Sequence, residues 1–557
     1  MIDLIDGQSG GTSLTQILVA LSGQVASGKS TLANGLSVRF GAEVVATREL
    51  IQSLHERTRT GPELCDRAGL QTFGDELDAT TGGSWVADGA EPFIATAVPR
   101  GVVVIDSVRT EGQLEQLRRR FGRKVWHVHV KSSSSSELET RYLSRRGDTG
   151  ISEFDSYAAV SANATEAAVP RLEVLADVVL DTHRNTETDV LIRCAARVGL
   201  LADLGEPLVD VLVGGEFGSE GKGNIAFYLA PEYDVLMRVG GPNAGHKVPT
   251  ETPTTHRSLP SGSLANTAAQ ILIGPGAVIN PAVLLEEIQT AGVDPRRIRI
   301  DPQAMVITDQ DVQDETLLTE RIGSTGQGVG RAAERRIRAR EDADASVLAG
   351  ACLELRQFIA STGDALDEAY ANGSRVLLEG TQGTGLSLFH GTYPWVTSRD
   401  TTVAGVLSEA GISPRRVRRS VMVCRTYPIR VGGPSGPMGQ SKDLTWDEIA
   451  ERSKLPRAAI DERGSVSGNE RRVAEFDWWQ LRRASELNGA TDVALTFADY
   501  LSAQNREAFR YEQLTAETIR FVEEVEQVSG APVSLIATNF SRRSVIDRRE
   551  WRGRTVN

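Results

Sequence analysis

The chain has 557 residues, 40% of them hydrophobic, and a net charge of −13. That length accommodates two to four domains with large cores, and the acidity argues against a broad nucleic-acid-binding face. No window reaches the about 18 apolar residues of a membrane span, so no membrane partner is expected either. Met1 to Thr12 is acidic and glycine-rich, unlike a secretory signal. The four cysteines, Cys65, Cys194, Cys352 and Cys424, form no CxxC pair and read as reduced thiols of a cytoplasmic protein. The histidines show no zinc-ligand spacing.

In chain order, Ile17 to Leu21 is a predicted buried strand. It runs into Gly23-Gln24-Val25-Ala26-Ser27-Gly28-Lys29-Ser30-Thr31, a match to GxxxxGK[ST]. The amides of such a loop wrap a β-phosphate, Lys29 would reach the β/γ oxygens, and Ser30 would bind Mg²⁺. Leu32 to Phe40 has helical periodicity. Val102 to Asp106 is a second buried strand that ends in a carboxylate, where these folds orient Mg²⁺. Asp106-Ser107-Val108-Arg109 resembles the segment of small nucleotide kinases that holds an acceptor monophosphate. Trp126 to Val130 and Val178 to Leu180 are further strands, Ser132 to Ser136 a loop, and Glu187 to Val198 a closing helix. The run Arg141 to Asp148 resembles the arginine-bearing lid of those kinases, with Arg145 in the phosphoryl-neutralising role. A solvated helix face is the alternative for Arg141, Arg145 and Arg146. Residues 1–200 thus resemble a P-loop nucleotide-kinase-like domain using ATP, with an unreadable acceptor. Gly199 to Pro207 is the boundary, and a second domain runs over residues 208–557.

That second domain opens with two strand-like runs, Val209 to Val213 and Val235 to Val239. Each leads into a glycine-rich loop, Gly214-Gly215-Glu216-Phe217-Gly218-Ser219-Glu220-Gly221-Lys222-Gly223 and Gly240-Gly241-Pro242-Asn243-Ala244-Gly245-His246. Such turns turn backbone N–H groups toward phosphate oxygens. Lys222 adds a point charge and His246 a group that titrates near neutrality. Further blocks follow in order. They are Leu259-Pro260-Ser261-Gly262, Gly323-Ser324-Thr325-Gly326-Gln327-Gly328, and Glu379-Gly380-Thr381-Gln382-Gly383-Thr384. After these come His390-Gly391-Thr392-Tyr393-Pro394 with Val396-Thr397-Ser398, and Arg430-Val431-Gly432. From Val209 to about Arg549 the series resembles adenylosuccinate synthetase.

The resemblance implies an α/β fold in both halves, two P-loop-type domains with mostly parallel sheets. It also implies a ligase that phosphorylates the 6-oxygen of a purine 5′-monophosphate and then lets the amine of L-aspartate displace the phosphate. In that scheme His246 is the acid at the 6-oxygen. Lys222 with Gly218, Gly221 and Gly223 cradles the triphosphate, and the Gly245 carbonyl with position 219 binds Mg²⁺. Asn243, Thr325, Gln382 and Thr397 hold the purine nucleotide, Ser467 and Arg471 hold aspartate, and Asp499 and Thr538 hold the donor. The family is usually a homodimer with an intersubunit arginine; Arg338 and Arg340 flank the matching position, which is Ala339 here.

Three departures leave alternatives open. Ser219 stands where the family has an aspartate that acts as base, and a hydroxyl is no comparable base. The acceptor is therefore IMP with altered proton handling, or GMP or dGMP in the space the carboxylate vacates, as in the phage-type variants that this chain resembles. A dead site or a non-catalytic nucleotide sensor is the remaining reading, disfavoured because Lys222, His246, Thr325 and Gln382 are all present. In the aspartate loop, Asn469 and Glu470 replace arginines. In the donor segment, Phe497 and Phe540 could stack on any purine, so the donor is GTP by family default or ATP or dATP.

Overall fold

The computed structural model describes residues 17–58, 64, 66–96, 101–144, 154–201, 206–460, 462–463 and 470–549. The chain divides into two compact units, Met1–Ala202 and Asp203–Asn557.

In the first unit β1 (Ile17–Ser22) leads to α1 (Lys29–Phe40) and β2 (Glu43–Ala46). Then come β3 (Val102–Asp106), β4 (Val125–Lys131), α2 (Ser135–Ser144), β5 (Val178–Asp181) and α3 (Glu187–Val198). The strands pair in parallel in the order β2-β3-β1-β4-β5. A continuous apolar run suits a strand covered on both faces. Accordingly Val19 and Leu21 pack with Leu32, Leu36 and Val190, while Leu18 and Ala20 pack with Trp85, Ile105 and Leu117. Central β1 thus delivers its phosphate loop to the carboxyl edge of the sheet, where ligands bind in such folds.

α1 starts at Lys29, three residues ahead of the periodic run, because Gly28 caps it in the left-handed region at φ 99°. Ser135 and Ser136, expected in a loop, form the first turn of α2. Ser134 supports that turn by accepting the Glu137 amide at 3.3 Å.

The second unit is built on a sheet of nine strands: β6 (Val209–Gly214), β7 (Val235–Arg238), β8 (Gln270–Ile273), β9 (Ile298–Ile300), β10 (Val376–Gly383), β11 (Val417–Arg425), β12 (Asp492–Thr496), β13 (Val533–Ala537) and β14 (Val545–Asp547). Their order is β9-β8-β7-β10-β6-β11-β12-β13-β14. Neighbours are parallel except β13 and β14. Every residue of β6 and β10 is buried, which explains the apolar run of β6, while β10 also buries polar Glu379, Thr381 and Gln382. The expected α/β class with mostly parallel sheets holds in both units.

Candidate active site

The loop after β6 ends at Gly221, which caps α4 (Lys222–Leu229) at φ 87° with no side-chain hydrogen bond. The first-turn amides of α4 are therefore left for an anion. Gly223 is required by space, since a Cβ there would lie 2.3 Å from the Lys247 carbonyl oxygen. Lys222 is buried and donates to Glu220 Oε2 at 2.6 Å. Glu220 Oε1 accepts the amides of Gly218 at 2.8 Å and Glu216 at 3.2 Å. Glu216 lies fully buried behind the loop; desolvation and then the Glu220 charge push its carboxyl well above the usual range. Ser219 is exposed, and its backbone sits at φ 58°. A non-glycine residue there stores strain, as functional loops often do.

His246 opens a short strand, His246–Val248, paired with Thr254–His256. Its Nδ1 lies 2.5 Å from Glu379 Oε1, on β10. Glu379 also accepts the Ser261 amide at 2.7 Å and the Ser261 hydroxyl at 2.5 Å. Against a large desolvation cost, nearby Arg238, His246 and Ser261 bring its pKa down to about 2, so it is an anion. Nδ1 therefore carries the proton. Nε2 has no hydrogen bond to the described residues. Burial, with Arg238 adding to it, lowers the imidazole pKa to about 4, so the ring is neutral at pH 7.

Both loops meet at a cavity of about 140 Å³. Its wall contains Gly218, Ser219, Lys222, Asn243, Gly245 and His246, together with Thr325, Gln382, Thr397 and Arg471. Widely spaced sequence positions are thus brought to one place. Gln382, at φ 48°, donates to Asn243 Oδ1 at 2.9 Å, and the Thr381 hydroxyl orients its oxygen at 2.7 Å. Arg471 presents a guanidinium whose Nε has no hydrogen-bond partner among the described residues. Arg430 also lines the cavity, 4.8 Å over the Phe217 ring, with its fork on the Pro437 and Trp395 carbonyls, each at 2.8 Å.

Other expected residues lie elsewhere. Gly221 and Gly223 shape α4 behind the wall. Asp499 is buried and accepts from Arg506 at 3.2 Å; burial raises its pKa to about 6. The buried Thr538 hydroxyl donates to the Ala508 carbonyl at 3.2 Å and the Ser544 carbonyl at 3.3 Å. Phe497 is already stacked, with Arg425 3.9 Å over its ring, whereas Phe540 is 36% exposed. Arg338 pairs with Glu334 at 2.9 Å. Ser467, Asn469, Arg145, Arg146, Cys65 and residues 1–12 fall outside the described residues. Glu379 lies inside the Glu379-to-Thr384 block, whose glycine spacing carries no signal of the partner it holds.

In the first unit, a cavity of about 300 Å³ is lined by Gly28, Lys29, Ser30, Thr31, Arg141 and Asn185, among others. The Ser30 hydroxyl donates to Asp106 Oδ2 at 2.7 Å. A hydroxyl beside a carboxylate at a phosphate loop fits Mg²⁺. Lys29 is folded back onto the carbonyls of Gly23 and Gln24, both at 2.8 Å. Gly23 admits no side chain, because a Cβ would lie 1.9 Å from the Val130 carbonyl. Arg109 pairs with buried Glu166. Arg141 is half-buried and donates to Glu137 at 2.5 Å and to Thr182 Oγ1 at 2.8 Å. In the second unit the pair Ser219 and Gly245 offers a hydroxyl and a carbonyl but no carboxylate. That set does not fit a protein-held Mg²⁺. Among the described residues no helix is long and apolar enough to cross a membrane.

A family model described as adenylosuccinate synthetase matches residues 211–348 and 340–506. The adenylosuccinate synthetase of Pyrococcus horikoshii is 35% identical over 352 residues, covering 61% of this chain and 98% of that protein. That of Methanocaldococcus jannaschii is 36% identical over 351 residues, covering 61% and 96%. Among solved structures, the cyanophage S-2L succinoaminodeoxyadenylate synthetase (PurZ), bound to dGMP and dATP as an energy donor, has a TM-score of 0.52 and 28% identity, covering 62% of this chain and 96% of that one. A fully ligated adenylosuccinate synthetase from Plasmodium falciparum shares the fold at a TM-score of 0.55 and 21% identity, over 61% and 100%.

Proposed function

The chain belongs to the adenylosuccinate synthetase family, and from that premise we propose that it ligates L-aspartate to C6 of a 2-amino-6-oxopurine 5′-nucleotide of the dGMP type. The observation that carries the acceptor is Ser219. It sits in the cavity wall in place of a carboxylate, and its side chain is two heavy atoms smaller. A purine 2-amino group is a donor, and a neutral hydroxyl can accept from it where a family aspartate would fill the space. The 28%-identical cyanophage structure holds dGMP, which supports the same reading. IMP is the second reading, favoured by the identity to adenylosuccinate synthetases.

The chemistry proceeds in two steps. O6 attacks the γ-phosphorus of a triphosphate and the diphosphate leaves, turning a poor leaving group into a good one. The aspartate amine then adds at C6 and phosphate departs. The α4 amides and Lys222 neutralise the phosphoryl group, and Lys222 must leave Glu220 to do so. Asn243 and Gln382 fix the base, and the Arg471 fork takes an aspartate carboxylate. His246 stabilises O6 as it leaves. Mg²⁺ would enter with the triphosphate. The donor is dATP or ATP, supported by the absence of a lysine at Phe497 and by the cyanophage neighbour, with GTP as the family default. We also assign the first unit, residues 1–200, as a Mg²⁺- and ATP-dependent nucleotide kinase, and the chain as a homodimer. Product analysis with dGMP, GMP and IMP, each with aspartate and each donor, tests the proposal. Adduct from IMP alone overturns the 2-amino reading, and binding without aspartate-dependent phosphate release favours a sensor.

A further inference from the structure

We propose that His246 is the base of the first step as well as the acid of the second, so that one imidazole carries a single proton through the whole reaction. This rests on the aspartate-ligation reading above.

The ground is what the cavity wall lacks. Among the described residues lining it there is no aspartate or glutamate. Glu216 and Glu220 lie behind the loop, and Glu220 is engaged by Lys222 and two amides. Arg430 and Arg471 hold their protons at any working pH, and the Lys222 ammonium is bound to a carboxylate. The amides and hydroxyls of Asn243, Gln382, Thr325, Thr397 and Ser219 are not basic. Among the described lining residues one imidazole lone pair remains, on His246 Nε2.

Its orientation is built rather than incidental. Three donors converge on Glu379, namely His246 Nδ1, the Ser261 amide and the Ser261 hydroxyl. A carboxylate so held keeps the proton on Nδ1 and the lone pair on Nε2, which is the arrangement of a base with its orienting group. Glu379 and Ser261 are positioning residues.

The proton balance closes. In the first step Nε2 takes the proton that the 6-oxopurine must lose, the O6–Pγ bond forms, and the bond from Pγ to the bridging oxygen breaks with release of the diphosphate. In the second, the neutral aspartate amine bonds to C6, the C6–O6 bond breaks, and imidazolium returns its proton to the departing phosphate. The extra proton on the new nitrogen goes to water.

The test separates the two steps. With aspartate omitted, a triphosphate labelled with ¹⁸O at the β,γ-bridge is incubated with dGMP and enzyme, and migration of label to non-bridging positions reports the first step alone. His246→Asn is expected to slow migration by roughly 10²-fold or more. With IMP as acceptor in both variants, so that no 2-amino group is crowded, adding Ser219→Asp, which puts a carboxylate back in the wall, should restore at least about 10-fold of the loss seen in His246→Asn. Glu379→Gln, which no longer forces the lone pair outward, should slow migration while nucleotide binding persists; it also serves if His246→Asn does not fold. Wild-type migration in His246→Asn with loss only of aspartate-dependent product would overturn the assignment, as would a double variant no faster than the single one. If the wild type makes no succinyl adduct from any acceptor, the ligase reading itself fails, a distinct result.

Discussion

Ser219 decides more than any other side chain. A carboxylate there would repel nothing in IMP but would crowd a 2-amino group, so Ser219→Asp should move the ratio of kcat/KM for dGMP over IMP toward IMP by about 10-fold or more. An unchanged ratio in steady-state assays would remove the steric argument. Arg471, with an unsatisfied Nε at the cavity wall, should serve aspartate: Arg471→Lys loses the bidentate fork and should raise the KM for aspartate about 10-fold or more with little change for nucleotide. Most of this site was readable, because glycine spacing, an Asn-Ala-Gly-His run and a Thr-Gln pair each carry local chemistry. The role of Glu379 was not. It acts 133 residues from His246, and only the pairing of β10 with β6 and β7 brings them together. Nor does a motif show that Phe497 already carries Arg425 on its ring, or that Thr538 faces inward.

The two phosphate loops share one device at the scale of elements. A buried strand ends in a loop whose last glycine, Gly28 or Gly221, caps a helix in the left-handed region, placing Lys29 or Lys222 at the first helical position. The interior glycines answer to space instead. Gly223→Ala should destabilise the second unit by about 1–3 kcal/mol, read as a lower denaturant midpoint, because backbone cannot yield as a side chain can. The same burial sets the acid response. His246, and His129 on β4, have pKa values lowered by desolvation to about 4. As pH falls from about 6.5 toward 4, the unfolded chain binds protons that the native chain refuses, so stability is lost over that window. Asp499, raised to about 6, acts in the opposite sense, losing stability as pH rises from about 4 to 6. A melting temperature that drops from pH 7 to 4.5, and drops less in His129→Gln, checks this. Periodicity located α3 and most strands, but it placed the start of α1 too late and missed the first turn of α2. Those boundaries are set by a glycine cap and a serine hydroxyl rather than by apolar spacing.

Each unit of the whole molecule has its own parallel sheet, core, phosphate loop and cavity. The two chemistries should therefore be separable on one chain. Lys29→Ala should abolish phosphotransfer by the first unit and leave succinyl-nucleotide formation within about 2-fold, as expected for independent sites; a parallel loss of both would show that the units work as one. The composition and paired loops made two units with glycine-rich loops legible, whereas the proposed acceptor rests on one side chain, Ser219, in the wall of one cavity. The most direct measurement of the central claim is mass spectrometry of the product formed from dGMP, aspartate and dATP, run beside IMP. The account predicts a 2-amino succinyl-purine deoxynucleotide, made in an aspartate-dependent reaction that releases phosphate, and in preference to the IMP product. No adduct from dGMP, with turnover confined to IMP or absent altogether, would contradict it.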